Sequence, residues 1–395
     1  MAYHVLSMDG GPSAPIWLNN LLALERWEPG FLAQVDHFVG SSAGSMAAAY
    51  LAMFLPSNPT TEQSTQCLQD CLAFVSDCFV ALQPTSDEAY VQFLLGKTAL
   101  CSAEPLRKVL EDTLGADTTL GDLPRPFSCQ GGRMAAPWGP QVLSNVNDEH
   151  VDTNLVSAVL RSSAGPMCLP IHEIHVDGFV YTNNPTMSGL TRLIADGAAS
   201  LDEVVLLGVG GDDGSSKLSN IFLPDNSLRF DSDMPDRVRK LHDALDDRGR
   251  RSMGDDYDAL SAGIAHFAEH AKKLGLKLTY DVQDGANPDW GWLAWLAYLP
   301  NPVYLLQVFF SSAGRGVSQQ AHELLGERAF RLAPMGLMTS NVGFLLIALQ
   351  LAQTVIDSGE RTASLWQNPA SNKGLAFQPS IATTKRWLRE QWMVE

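Results

Sequence analysis

Short apolar runs alternate with longer stretches of helical periodicity over the first half of the chain. Tyr3–Met8 and Val35–Val39 are strand-like runs, and helical patterns follow them at Pro15–Trp27 and Ala43–Phe54. Pro15 suits the first turn of a helix, where its missing N–H costs no hydrogen bond. Strands that alternate with helices of this length are typical of a sheet flanked by helices. The pattern therefore predicts an α/β fold.

The same alternation continues to about residue 210. Amphipathic patterns predict helices at Glu104–Leu114 and Val151–Arg161, and apolar runs predict strands at His172–Val176 and Glu203–Gly208. The last run is continuously apolar, which indicates a strand that is buried on both faces. The segment Gly210–Asn226, which is rich in Gly, Asp and Ser, follows it and predicts a domain boundary.

Beyond this boundary the pattern is largely helical. We therefore predict an α/β domain at residues 1–214, and a helical cap or interaction region at 215–395 that packs on it. The clearest helical patterns of the second region are Asp236–Arg248, Tyr257–Leu274 and Gly343–Ile356.

One apolar, tryptophan-rich stretch at 290–310 is long enough to be compared with a membrane span. Pro300 and Pro302 interrupt it near its middle, so it is a poor spanning helix. Two interpretations stay open. The stretch is either buried core or an interfacial surface that gives the protein a peripheral contact with membranes.

Composition and charge narrow the classes of partner. The chain has 45% hydrophobic and 18% charged residues, as expected of a globular protein, and its net charge is −17. This charge argues against binding to a nucleic acid polymer and against attachment to anionic membranes by charge alone. The first residues enter a strand pattern with no secretory signal, and six scattered cysteines are typical of reduced thiols. We therefore expect a soluble, cytoplasmic protein; nothing indicates its oligomeric state.

The motif Gly40-Ser41-Ser42-Ala43-Gly44 fits G-x-S-x-G between a predicted strand and a predicted helix. This is the context of a nucleophile elbow, in which Gly40 and Gly44 permit the sharp turn that lifts the Ser42 hydroxyl above the sheet. The N–H of Ala43 would stabilise an oxyanion at the start of the helix. Taken alone, the motif is equally compatible with an ordinary glycine–serine turn.

A serine nucleophile needs a base, and no histidine has a sequence context typical of a catalytic triad. Asp177 instead leaves a predicted strand on an Asp-Gly turn, and Asn183-Asn184-Pro185 follows. In a dry pocket its raised pKa would let it serve as a direct base. An aspartate at a turn more often only bonds its own backbone. The glycines of Asp9-Gly10-Gly11, at the end of the first strand, could direct N–H groups at an oxyanion or form a simple turn.

Together these motifs resemble the patatin-like phospholipase family, over about residues 4–211. The resemblance extends to Thr119–Pro124, to Leu160–Pro166 with Leu169-Pro170, and to Val205–Gly210. It implies a three-layer fold with a mostly parallel sheet. It also implies a Ser42–Asp177 dyad that cleaves lipid acyl esters through an acyl-enzyme, with Gly10 and Gly11 at the oxyanion and no metal or other cofactor.

Two departures from the family pattern bear on activity. Where the family's loop continues with a third glycine and, two residues later, a basic residue, this chain has Pro12 and Ala14, so one N–H donor and one cation are absent. Phe179 follows the Asp-Gly turn where the family has a small residue. The alternative function is therefore a weakly active or inactive scaffold of the same fold that binds lipid or a partner.

A metallopeptidase is a further alternative. His266-Phe267-Ala268-Glu269-His270 matches H-x-x-E-H, which places two zinc ligands and a general base on one helical face. The polar face of an amphipathic helix explains the same residues, and no third ligand can be assigned. Cys67, Cys71 and Cys78 would also share a helix face, where core packing is the preferred interpretation.

Overall fold

The computed structural model describes residues 2–82, 97–136, 139–166, 168–210, 316–333, 352–368 and 379–394. Apart from Lys97 and Thr98, these belong to one compact unit, which comprises Met1–Thr85, Ala99–Asp213 and Phe310–Glu395. A second unit, Ser86–Thr98 with Gly214–Phe309, lies almost entirely outside the described residues.

A mostly parallel sheet forms the centre of the first unit. Strand β1 lies between β2 and β6, and the described order across the sheet is β4-β3-β2-β1-β6-β7, with β5 paired to β3. The β4 and β5 pairings with β3 are antiparallel, and the others are parallel. The strands are β1 Tyr3–Met8, β2 His37–Ser41, β3 Phe127–Arg133, β4 Gly139–Ser144, β5 His175–Asp177, β6 Val204–Val209 and β7 Ala329–Leu332.

Nine helices are described. They are α1 Ala14–Trp27, α2 Ala43–Phe54, α3 Thr61–Ala81, α4 Glu104–Leu114, α5 Leu155–Ser163, α6 Thr186–Ala195, α7 at 316–325, α8 Ala352–Gln367 and α9 Ile381–Trp387. Single turns of 3-10 helix lie at Leu32–Gln34, Leu120–Asp122, Gly178–Val180 and Gly326–Arg328, and a π-helical turn, Leu388–Trp392, directly follows α9.

Close packing of helices on both faces of β2 gives the fold its three layers. Successive side chains of a strand point to opposite faces. A Cβ on Gly40 would overlap the Gly44 carbonyl of α2, whereas Val39 lies against Gly189 of α6. Leu190 and Leu193 of α6 share a buried cluster with Val5, Val39, Val204, Leu206 and Leu325. The predicted α/β fold with a helix-flanked, mostly parallel sheet is confirmed.

Several element boundaries differ from the sequence prediction for local reasons. Strand β2 begins at His37 because Arg125 binds the carbonyl of Val35 and the Asp36 carboxylate accepts the N–H of His4. Helix α5 begins at Leu155, not Val151, because Asn154 caps it by accepting the N–H of Ser157 at 2.9 Å.

Strand β5 also begins later than predicted, at His175. The residues before it fold into a tight turn in which Glu173 and Ile174 have positive φ angles of 46° and 62°. The predicted strand Glu203–Gly208 is shifted by one residue, to Val204–Val209.

The patterns that followed residue 215 are only partly described. The helical patterns at 236–248 and 257–274, the apolar stretch at 290–310 and the H-x-x-E-H motif lie outside the described residues, as does all but the end of the pattern at 343–356. Strand β7, which the sequence analysis did not predict, pairs with β6. The boundary between 1–214 and 215–395 stays a prediction.

Among the described helices, none combines the length and apolar character that a membrane span requires. All six cysteines lie in the described part of the chain, where they are buried free thiols.

Candidate active site

Ser42 occupies a strained turn between β2 and α2. Its backbone has φ 52° and ψ −122°, a region that side-chain-bearing residues rarely adopt. Such strain persists only where the surrounding structure holds it, and it is concentrated at functional sites. Ser42 is 4% exposed, at the carboxyl edge of the parallel strands, where α/β folds bind their ligands.

The two glycines of the elbow allow strand and helix to meet. A Cβ on Gly40 would overlap the carbonyl of Gly44, and a Cβ on Gly44 would overlap the carbonyl of Met8 in β1. Any larger residue at either position would push α2 away from the sheet. Because α2 stays close, its free N-terminal N–H groups, including that of Ala43, lie beside the Ser42 side chain.

Ser162, on α5, fixes the elbow from the other side. Its hydroxyl accepts the N–H of Ser42 at 2.9 Å and donates to the carbonyl of Gln130 at 2.6 Å. Both bonds are buried, so the backbone conformation of Ser42 is held by a hydrogen-bonded chain that reaches β3.

The register of three strands brings Asp177 to Ser42. Strand β2 ends with Ser41 opposite Gln130 of β3, and β5 pairs from Gly131, opposite Asp177, to Arg133. Since β4 occupies the other edge of β3 throughout, β5 continues along the edge that β2 leaves. Asp177 and Ser42 are therefore neighbours along one edge of β3, although they are distant in sequence.

The Asp177 carboxyl is fully buried, and burial raises its pKa from 3.8 to about 7. Two donors oppose this increase: the N–H of Phe179, at 2.9 Å from Oδ1, and the nearby Ser42 hydroxyl. Within the described residues Oδ2 accepts no close hydrogen bond. A carboxyl with one uncommitted oxygen and a pKa near neutrality can accept a proton from an adjacent hydroxyl.

The turn after Asp177 has no room for a side chain. A Cβ on Gly178 would lie 2.5 Å from the Gln130 carbonyl and 2.6 Å from the Ser41 hydroxyl. The Gln130 amide donates to the carbonyls of Gly178 and Thr182, at 3.0 and 2.9 Å. The turn thus holds Asp177 in place through contacts with β3.

None of the described histidines forms a hydrogen bond with Ser42. His37 illustrates their structural roles: its Nε2 bonds the Ser128 hydroxyl at 2.8 Å, and burial lowers its pKa to about 4. The hydrogen bonds and ion pairs of His4, His150, His172 and His175 likewise lead to groups other than Ser42.

The glycine loop after β1 lies directly against the elbow. The N–H of Gly10 is donated to the carbonyl of Asn183 at 3.2 Å, and the Asn183 amide donates to the carbonyl of Gly10 at 2.9 Å. Gly11, at φ 86°, is half-buried, and its N–H has no partner among the described residues. Pro12 offers no donor. The loop therefore presents the N–H of Gly11, whereas that of Gly10 is already used.

We expect Gly10→Ala to lower any activity of this site by about 10²-fold. The added Cβ would lie 2.7 Å from the Asn183 side-chain oxygen and 2.8 Å from the Ser42 Cβ, so loop and elbow must separate. The rate of acyl release by purified protein measures the effect. Gly139→Ala is the matched control, because no atom lies within 4 Å of its added Cβ. Equal activity of both variants would contradict this account of the loop.

Three residues that support this geometry were not identified as site residues from the sequence: Gln130, Ser162 and Asn183. Ser162 lies in a segment that resembles the family and Asn183 follows the Asp-Gly turn, but nothing local marks their hydrogen bonds. Gln130 lies inside a strand with no motif at all.

A comparison with known families matches this arrangement. The family model described as patatin-like phospholipase matches residues 6–190, which include the glycine loop, the elbow and the Asp-Gly turn. Residues 6–190 thus resemble a patatin-like phospholipase domain. This match supports lipid acyl hydrolysis in general as the activity and lipid as the class of substrate.

Relatives of the patatin-like domain have low sequence identity. The chain is 21% identical over 247 residues, 60% of its length and 72% of the relative's, to the protein named "Putative sporulation hydrolase CotR" of Bacillus subtilis (strain 168). Among solved structures, VipD from Legionella pneumophila is 12% identical with a TM-score of 0.32, over 98% of this chain and 79% of that one. The structure of SpcU in complex with ExoU from Pseudomonas aeruginosa matches with 13% sequence identity and a TM-score of 0.28, over 99% of this chain and 80% of that one.

Proposed function

We propose that this protein is a lipid acyl hydrolase of the phospholipase A or lysophospholipase type, with Ser42 as nucleophile and Asp177 as its base. The observation that carries the proposal is the strained Ser42 elbow beside a fully buried carboxyl whose pKa is raised to about 7. The match of residues 6–190 to the patatin-like family supports the substrate class.

In the first half-reaction, Asp177 accepts the hydroxyl proton while Ser42 Oγ attacks the carbonyl carbon of the ester. The tetrahedral intermediate carries its negative charge on the former carbonyl oxygen, and the N–H groups of Gly11 and Ala43 stabilise it. Collapse breaks the bond to the alcohol oxygen, to which Asp177 returns the proton. The products are the alcohol and an acyl-enzyme on Ser42.

The second half-reaction repeats these steps with water. Asp177 accepts a proton from the water molecule that attacks the acyl carbonyl, and then protonates Ser42 as the fatty acid leaves. The N–H of Gly10 is donated to the carbonyl of Asn183, so Gly10 is not an oxyanion donor in this mechanism. Its role is to lack a side chain, which lets the loop contact Ser42.

Fatty-acid release from neutral phospholipid mixed micelles tests the proposal. Release by the wild-type protein, with a lysophospholipid and a triacylglycerol as alternative substrates, would assign the activity and rank the three lipids. Covalent labelling of Ser42 by a fluorophosphonate probe reports the nucleophile independently of the lipid. A protein that binds the micelles but neither releases fatty acid nor reacts with the probe would instead be an inactive scaffold. This is the alternative function suggested by the missing N–H donor at Pro12.

The pH profile is a separate prediction. Asp177 is active as a base only when it is deprotonated, so we expect kcat/KM to fall about tenfold per pH unit below about 7 and to be constant above it. Fatty-acid release measured from pH 5 to 9 in a buffer of constant ionic strength gives the profile. Full activity at pH 5 would exclude a base with this pKa.

A further inference from the structure

Arg331, on β7, binds the residue that precedes the glycine loop. Its Nη1 donates to Asp9 Oδ1 at 2.8 Å and its Nη2 donates to Asp9 Oδ2, so the pair is bidentate. The two residues are 322 positions apart in the sequence. The Asp9 side chain is 4% exposed and that of Arg331 is 16% exposed, so water screens the pair only weakly.

Two glycines make space for this ion pair: Gly208, within β6, and Gly210, directly after it. The register places Gly208 directly opposite Arg331, and a Cβ on Gly208 would lie 3.2 Å from Arg331 Cδ. A Cβ on Gly210 would overlap both Asp9 Oδ2 and Arg331 Nη2. Each of these backbone positions is adjacent to the ion pair, and a side chain at Gly210 would displace it.

We propose that Arg331 is a positioning residue, which holds the Gly10–Gly11 turn against Ser42 and cancels the charge of Asp9 beside the oxyanion. The inference rests on the proposed function. Asn183 binds the loop on one side through Gly10, and Arg331 binds it on the other through Asp9, whose N–H is donated to Val209 at 2.9 Å. Without Arg331, a buried carboxylate next to the glycines would repel a developing negative charge.

The ion pair also gives residues outside the matched family segment a role in the site. Arg331 lies beyond residue 190, and Ser318 on α7 accepts a hydrogen bond from the Asn184 amide at 3.0 Å. Both loops that flank Ser42 are thus held by the segment 316–333. The glycine loop itself carries Pro12 and Ala14 where the family pattern has a glycine and a cation, and Arg331 supplies a cation from a distant strand.

Steady-state kinetics of Arg331→Met and Arg331→Lys test the inference. We expect Arg331→Met to lower kcat by about 10²-fold with little change in KM, and to lower the rate of fluorophosphonate labelling similarly. Arg331→Lys should recover part of the loss, because lysine keeps the charge but not the two parallel hydrogen bonds. Arg331 lines a cavity of about 350 Å³, so its truncation extends an existing space and the fold should survive.

The double variant Asp9→Asn/Arg331→Met separates charge from geometry. We expect it to be faster than Arg331→Met alone, because the neutral amide removes the negative charge that Arg331 no longer neutralises. The matched control is Arg328→Met, which removes an arginine in the 3-10 turn just before the same strand, where it donates to the carbonyls of Leu201 and Val204 at 2.7 and 3.0 Å. The control should alter stability and leave kcat unchanged.

The possible outcomes are distinct. A wild-type protein that reacts with the probe but releases no fatty acid would contradict the proposed function, and the labelling rates would still test Arg331. If the wild-type protein does not react, amide hydrogen exchange at residues 8–11 decides, since Arg331→Met should accelerate it and Arg328→Met should not. Unchanged kcat or labelling in folded Arg331→Met, unchanged exchange, or an equal loss in Arg328→Met would overturn the inference.

Discussion

Ser42→Ala is expected to lower fatty-acid release by at least about 10³-fold, because in the proposed mechanism the acyl-enzyme forms on the Ser42 hydroxyl. Substrate binding should persist, since the residual N–H groups and the fold are unchanged. Release from neutral phospholipid micelles, with binding measured separately by co-sedimentation with vesicles of the same lipid, checks both parts. Fluorophosphonate labelling should disappear in the same variant.

Ser41→Ala is the matched control for Ser42→Ala. Ser41 is also buried and adjacent in sequence, but its hydroxyl has no hydrogen-bond partner among the described residues. Its removal should therefore change activity only a few-fold. If Ser41→Ala and Ser42→Ala lose activity equally, Ser42 is not the nucleophile.

The strain at Ser42 has its own measurable consequence. Alanine at φ 52° keeps the unfavourable backbone conformation, whereas glycine adopts it freely. We therefore expect Ser42→Gly to be more stable than Ser42→Ala, by about 1 kcal/mol in the free energy of unfolding. Equal stability of the two inactive variants would show that the elbow is not strained.

Asp177→Asn is expected to lower acyl release by at least about 10³-fold, because the amide cannot accept the proton of Ser42. The same change should stabilise the fold at neutral and alkaline pH. Asn has the shape of the protonated acid and avoids the cost of a buried charge. Loss of activity together with a gain in stability distinguishes a functional carboxyl from one that only supports the structure.

The pH dependence of this gain follows from the sign of the pKa shift. The folded state holds the Asp177 proton up to about pH 7, whereas an unfolded chain loses it near 3.8. The free energy of unfolding of the wild-type protein therefore decreases as the pH rises from about 3.8 to about 7. The stability advantage of Asp177→Asn grows over the same pH range and stays constant above it. Three units correspond to about 4 kcal/mol as an upper value.

Unfolding midpoints of both proteins at pH 4.5 and 8.5 measure this dependence. Asp122→Asn is a useful comparison, because hydrogen bonds from Thr119 lower the pKa of the exposed Asp122. Its removal should weaken the fold at pH 8.5, which is the opposite sign. A constant difference between Asp177→Asn and wild type at both pH values would exclude a raised pKa at Asp177.

Much of the central fold could be predicted from the chain because its signals are local. Apolar runs bounded by glycine predicted β1, β2 and β6 within two residues at most boundaries, and the small residues after Ser42 predicted α2. Their hydrophobic periodicity requires no knowledge of distant contacts. Strand β7 escaped prediction because four residues, Ala329–Leu332, carry too short a pattern.

The candidate site also has a part that local sequence signals predict and a part that they do not. Ser42, Asp177, Gly10 and Gly11 each stand in a motif that a reader of the sequence can recognise, and the joint order of the motifs indicated the family. The role of Gly10 illustrates the limit: only the folded chain shows that its N–H is donated to Asn183. Hydrogen bonds between residues 173 positions apart leave no local signal.

By itself the sequence determined which segments form strands, where the chain turns sharply and which side chains can do chemistry, because these depend on neighbours within a few residues. Only the tertiary structure decided that β5 continues the edge of β3 that β2 leaves, and so places Asp177 beside Ser42. It also decided that Asp177 is dry enough to have a pKa near neutrality, and that Asp9 is paired with Arg331. Burial and long-range pairing depend on how all the layers pack together.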